Sequence, residues 1–119
     1  MKVVYATRTG NVEMFVNKLG LSDVMQIKDG TEKVNEEFVL VTYTDGYGEL
    51  PAEVEEFLSN NVHNLRGVAA SGDYGYGDAF AMAADVISEM YNVPILAKFE
   101  FDGTDEDVQK FLAELAKLG

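Results

Sequence analysis

The run Phe38-Val39-Leu40-Val41-Thr42-Tyr43 is apolar and β-branched without alternation. A strand with one wet face alternates, because successive side chains point to opposite sides. An unbroken run must be covered on both faces. Two flanking layers are therefore required, and the rest of the chain provides them. Apolar residues recur at helical spacing in four places. Val12, Phe15, Val16 and Leu19 form one stripe. Val54, Phe57 and Leu58, continued by Val62 and Leu65, form a second. Phe80, Ala83, Ala84, Ile87 and Met90 form a third, and Val108, Phe111, Leu112, Leu115 and Leu118 a fourth. Methionines and aromatics at this spacing are core residues.

Between the stripes lie further strand candidates: Lys2–Ala6, Asp23–Ile27, Gly67–Ser71 and Pro94–Phe101. The last alternates, with Ile95, Ala97, Phe99 and Phe101 on one side and Leu96, Lys98 and Glu100 on the other. That pattern predicts an edge strand with one wet face. Pro51 fits the start of a helix, and Asp78 and Thr104 are candidate N-caps. The polar segment 28–37, KDGTEKVNEE, reads as a surface loop. Strands alternating with helices predict a parallel sheet with helices on both faces. Right-handed crossovers favour five strands in the order 2-1-3-4-5, a doubly wound α/β fold. Ligands of such sheets bind at the carboxyl ends of the strands, near the switch point. The loops after strands 1, 3 and 4 become the place to look.

Composition excludes several functions. At 119 residues the chain has the length of one domain, and it has no cysteine, so disulfides and thiol chemistry are absent. Net charge is −12, from 21 acidic and 9 basic residues. Phosphate-rich nucleic acids and anionic membranes repel such a surface. A basic partner surface would attract it. No leader pattern and no long apolar run is present, so the expected compartment is cytoplasmic. His63 reads as a helix-surface residue, and no metal site is expected.

The three loops are Thr7–Val12 (TRTGNV), Thr44–Pro51 (TDGYGELP) and Ser71–Asp78 (SGDYGYGD). In the first, Thr7, Thr9, Gly10 and Asn11 precede a helix. Backbone N–H groups and the helix dipole favour an anion there. The same residues also suit a plain helix cap. No Gly-Lys-Ser/Thr and no G-x-G-x-x-G occurs, so a bound phosphate would belong to a mononucleotide. The second and third loops carry Tyr47 and Tyr76, whose rings each present a face to a planar heterocycle. Gly46 and Gly48 allow backbone orientations that other residues resist.

Together, TRTGNV with FVNKLG, FVLVTYTDGYGELP, GVAASGDYGYGDAFAMAAD and VPILAKFEFDGTDEDV resemble the flavodoxins. More closely, the chain resembles the short NrdI-type flavodoxins that serve ribonucleotide reductase. The resemblance spans nearly the whole chain. It implies a flavodoxin-like fold over residues 1–119 and non-covalent FMN. It implies that the reduced flavin reacts with O2 to give a superoxide-level oxidant. That oxidant would activate the radical-bearing small subunit of ribonucleotide reductase. Electrons would come from a flavodoxin reductase or another donor. The chain would act as a redox accessory protein, without turnover of its own.

Carried over to this sequence, the resemblance implies a phosphate loop of Thr7, Arg8, Thr9, Gly10, Asn11 and Val12. It implies that Thr44, Asp45, Gly46, Tyr47 and Gly48 lie beside the flavin N5 edge. Ser71, Gly72, Asp73, Tyr76 and Gly77 would follow the pyrimidine edge. The chain departs from its relatives at Tyr47, where Phe is common, at Tyr76, where Trp is common, and at Asp73, where Asn is common. Two other readings share the architecture. A receiver domain needs an acidic pair after strand 1, where this chain has Ala6-Thr7-Arg8-Thr9. A generic electron-transfer flavodoxin differs in its partner and not in its cofactor.

Overall fold

Strand β3, Phe38–Tyr43, lies at the middle of a five-stranded sheet, with Phe38 to Thr42 all buried. The computed structural model describes residues 1–119. Its other strands are β1 (Lys2–Tyr5), β2 (Val24–Gln26), β4 (Leu65–Gly72) and β5 (Ile95–Glu100). All pairings are parallel and the order is β2-β1-β3-β4-β5, as the sequence predicts. The helices are α1 (Asn11–Lys18), α2 (Ala52–Asn61), α3 (Met82–Tyr91) and α4 (Asp105–Leu118).

The alternation of side chains along each strand sorts the helices into two layers. Val3, Val39, Val41, Ala69, Ala97 and Phe99 pack against Val12, Phe15 and Val16 of α1 and Val108 and Phe111 of α4. Val4, Phe38, Leu40, Val68 and Ala70 face Val54, Phe57 and Leu58 of α2 and Ala83, Ala84 and Ile87 of α3. Phe15 joins the first layer to the sheet, stacking on Phe99 at 3.9 Å and meeting Phe111 edge-on at 5.7 Å. Each such buried ring contributes roughly 2–3 kcal/mol. Thr104 caps α4 reciprocally: its hydroxyl accepts from Asp107 N at 3.1 Å, and Asp107 accepts from Thr104 N at 2.8 Å.

Four expectations need correction. The second stripe overruns its helix: α2 ends at Asn61, Val62–Asn64 form a 3-10 turn, and Leu65 opens β4. Asp78 caps nothing, because Gly77 leaves helical geometry and Ala81 turns left-handed, so α3 begins only at Met82. The third stripe is accordingly shorter than expected: Phe80 lies before the helix, stacking on Tyr74 at 4.2 Å beside the core, and Met90 is exposed and not a core residue. β5 is an edge strand, but its second face is only partly wet. A register shift opposite Val68/Ala69 sends Leu96 into the α1–α4 layer. Lys98 reaches across to Asp85 of α3 at 2.6 Å.

The polar segment 28–37 is better anchored than a surface loop requires. Val34 is buried, and Gly30 lies so close to α2 that a Cβ would come within 2.6 Å of Glu53 O. The Glu32 carboxylate accepts from the N–H groups of Lys28, Asp29 and Gly30. Burial alone would raise its pKa, but these donors outweigh that and hold it below the usual range. The buried Asn61 side chain accepts from Val34 N at 2.8 Å and donates to Glu32 O and Phe57 O at 2.9 Å each. Asn61→Ala leaves a buried N–H unpaired, so it should lower stability by about 1–3 kcal/mol. The urea midpoint should fall with the slope unchanged. An unchanged midpoint would show that Asn61 does not anchor the loop.

Candidate functional site

β1, β3, β4 and β5 all end at one edge of the sheet, and a cleft of about 230 Å3 opens there. Arg8, Thr9, Asn11, Thr44, Asp45, Gly46, Ser71, Gly72, Asp73 and Tyr76 line it, as do Tyr43, Ala79, Ala81 and Phe101. The three loops singled out in the sequence thus meet at one place. Thr7, Gly10, Val12, Tyr47, Gly48 and Gly77 do not line the cleft. They shape the loops behind it or stand outside it.

The first loop leaves β1 at Tyr5 and turns sharply before α1. Gly10 takes φ +91, and its N–H donates to Thr7 Oγ1 at 3.1 Å. No side chain caps α1. Met14 N is bonded to Gly10 O, so the N–H groups of Asn11, Val12 and Glu13 have no partner within the helix. Neither Thr9 nor Asn11 therefore caps the helix with its side chain. Thr9 and Asn11 border the cleft beside those free donors, while Val12 is buried in the layer below.

In the second loop Asp45 N donates to Glu49 O at 2.9 Å and Glu49 N returns to Asp45 O at 2.8 Å. Gly46 and Gly48, both at positive φ, close this turn. A Cβ on Gly48 would lie 2.5 Å from Met82 Sδ, so the loop rests directly on α3. Thr44 Oγ1 donates to Ser71 O at 3.1 Å and ties the second loop to β4. Tyr47 is 77% exposed. Its ring meets that of Tyr76 edge-to-face, with centroids 4.9 Å apart. Of the two, only Tyr76 lines the cleft.

The third loop winds as a 3-10 turn, Tyr74–Ala79, opened by Asp73, whose Oδ1 accepts from Gly75 N at 2.7 Å. Gly72 precedes it at the end of β4. A Cβ there would collide with the Ala81 backbone.

Charge is distributed across the mouth. Arg8 Nη2 lies 3.0 Å from Asp45 Oδ2, joining the first loop to the second, and the guanidinium covers the Tyr43 ring at 4.8 Å. The hydrogen bond with Arg8 holds the Asp45 carboxyl below its ordinary pKa. Tyr43 donates its hydroxyl to Glu53 at 2.6 Å. Burial first, and then that bond, push its phenol up to about 12. Arg8 and Asp45, joined by their ion pair, both line the cleft. The donors at the α1 terminus are neutral: backbone N–H, hydroxyl and amide.

Tyr43 and Phe101 escaped the sequence reading because both were counted as strand residues. Ala81 gave no chemical signal at all. The only hint for Phe101 was the Asp102-Gly103 pair after it, which marks a turn.

A five-stranded parallel sheet in this order, with a glycine-rich cleft at its carboxyl edge, defines a flavodoxin-like protein. The chain belongs to the NrdI flavodoxin-like family, whose model matches residues 3–113. It is 45% identical over 118 residues to Protein NrdI of Bacillus licheniformis, covering 99% of this chain and 89% of that one. It is 43% identical to Protein NrdI of Macrococcus caseolyticus, covering 99% and 91%. Among solved structures it resembles a short-chain flavodoxin associated with a non-canonical PDU bacterial microcompartment. There the TM-score is 0.73 and the identity 26%, over 98% of this chain and 95% of the other. A Streptococcus pneumoniae TIGR4 flavodoxin superposes with a TM-score of 0.69 at 27% identity, over 98% and 97%.

Gly72 holds the third loop against the sheet, so Gly72→Ala should displace Ala81. The expected cost is about 1–3 kcal/mol, the usual range for overpacking. Chemical denaturation checks it, and an unchanged midpoint would mean that the Ala81 backbone yields freely.

Proposed function

We propose that the cleft binds one FMN. We propose further that the reduced, loaded protein supplies the oxidant that activates the radical-bearing small subunit of ribonucleotide reductase. The observation that carries the reading is the uncapped α1 terminus, meeting two aromatic loops in one cleft, in a chain of the NrdI flavodoxin-like family. Bound and reduced, FMN supplies one electron to O2, giving superoxide.

The chain's own residues fit that group. The free N–H groups of Asn11, Val12 and Glu13, with Thr9 and the Asn11 amide, form a neutral donor set suited to a phosphate dianion. Gly10, at φ +91, turns the chain so that these donors face one place. Arg8, in the same loop, lines the cleft and adds positive charge to it while pairing with the exposed Asp45. Tyr76 offers a ring face inside the cleft, and Tyr47 must part from it to admit a flat ligand between them. The loops at Gly46 and Gly48 bring main-chain groups to the rim, where Asp45 and Asp73 lie on the cleft wall. A net charge of −12 steers the molecule toward a basic partner surface.

The test is activation. FMN-loaded chain, reduced and mixed with O2 and the cognate metal-loaded small subunit, should generate a tyrosyl radical detectable by electron paramagnetic resonance. Superoxide dismutase should inhibit only weakly if the oxidant passes within the complex, and hydrogen peroxide should not substitute. Electron delivery to unrelated acceptors with no radical formed would favour a generic electron-transfer flavodoxin.

A further inference from the structure

Phe101 occupies a backbone conformation that the sequence need not have imposed on a phenylalanine. It sits at φ +53, directly after β5, in the turn Glu100-Phe101-Asp102-Gly103. Gly103 N closes that turn on Glu100 O at 2.9 Å. Positive φ at the first central residue and not at the second is the pattern of a type II′ turn, which takes glycine there. For a bulky side chain such a position is strained and persists only when its surroundings enforce it.

The surroundings do enforce it. Phe101 N donates to Gly72 O at 3.0 Å, and Ser71 Oγ donates to Phe101 O, so the end of β4 grips both sides of the residue. Lys18 of α1 holds the rest of the turn, bonding Asp102 Oδ2 at 3.1 Å and Gly103 O at 2.7 Å. The ring itself adds little to the fold. It belongs to neither core layer and is 48% exposed. It pairs with no other aromatic ring, yet it lines the cleft. A strained backbone that places a half-exposed apolar residue, outside both core layers, on a ligand cleft is better explained by the ligand than by folding.

We propose that Phe101 is a binding residue whose ring forms an apolar wall of the flavin site. The chain retains a glycine-type turn around phenylalanine for that purpose. This rests on the flavin reading above. The wall acts on the ring or sugar-alcohol part of the ligand and not on its phosphate, because it carries no donor.

The experiment measures two quantities for each variant: the thermal midpoint of the ligand-free chain, and the dissociation constants of riboflavin and FMN by fluorescence quenching. Phe101→Gly relaxes the turn and removes the ring. Its ligand-free midpoint should be unchanged or higher, while both dissociation constants rise by a similar factor, about tenfold for the loss of one apolar contact. Phe101→Asn, which also tolerates positive φ, should behave alike. Phe101→Tyr keeps the ring and should keep wild-type affinity.

Unchanged affinities in Phe101→Gly would overturn the proposal. So would weakened binding accompanied by a lowered ligand-free midpoint, since the ring would then support the fold. A rise confined to FMN would overturn it as well, by placing the effect at the phosphate. Failure of the flavin reading is separately visible, because the wild-type chain would then quench neither ligand.

Discussion

Water reaches neither face of β3, and the position of the cleft follows from that. A strand covered on both sides needs helices above and below it, and parallel neighbours need crossovers to return the chain. The crossover through α1 leads outward to β2, while those through α2 and α3 lead the other way to β4 and β5. The loops after β1 and β3 therefore diverge and leave a gap at the carboxyl edge. The start of α1 points into that gap with its N–H groups free. No residue of the cleft has to create it; the residues only line it.

What they add is an unusual density of special backbone. Gly10, Gly46, Gly48 and Gly77 take positive φ around the cleft, and so do the non-glycine residues Ala81 and Phe101. Gly72 sits between the last two, bonded to one and pressed against the other. These positions let the loops turn tightly enough to bring residues of three strands' ends to one cleft. The side-chain charges lie across the mouth, where Arg8 and Asp45 offset each other.

Much of this was legible in the sequence, for identifiable reasons. β3 was read to its exact ends because an unbroken β-branched run has one solution. The three loops were legible because glycine, tyrosine and hydroxyl residues cluster where connectors need none of them. Element ends were harder. The stripe of α2 continues in register through Val62 and Leu65, yet the helix ends at Asn61, whose side chain is bonded to a distant loop. Asp78 looked like a cap until Gly77 and Ala81 broke the geometry around it. Phe101 was invisible because its conformation is set by Gly72, Ser71 and Lys18, distant in sequence.

If the cleft is the flavin site proposed above, the uncapped α1 terminus holds the phosphate of a single FMN. Equilibrium titration of the ligand-free wild-type chain with FMN, and separately with riboflavin, tests it most directly. The account predicts one site per chain. It predicts that FMN binds about a hundredfold tighter than riboflavin or more, since the phosphate gains at least two charge-assisted hydrogen bonds. Equal affinities for the two flavins, or no binding of either, would contradict it.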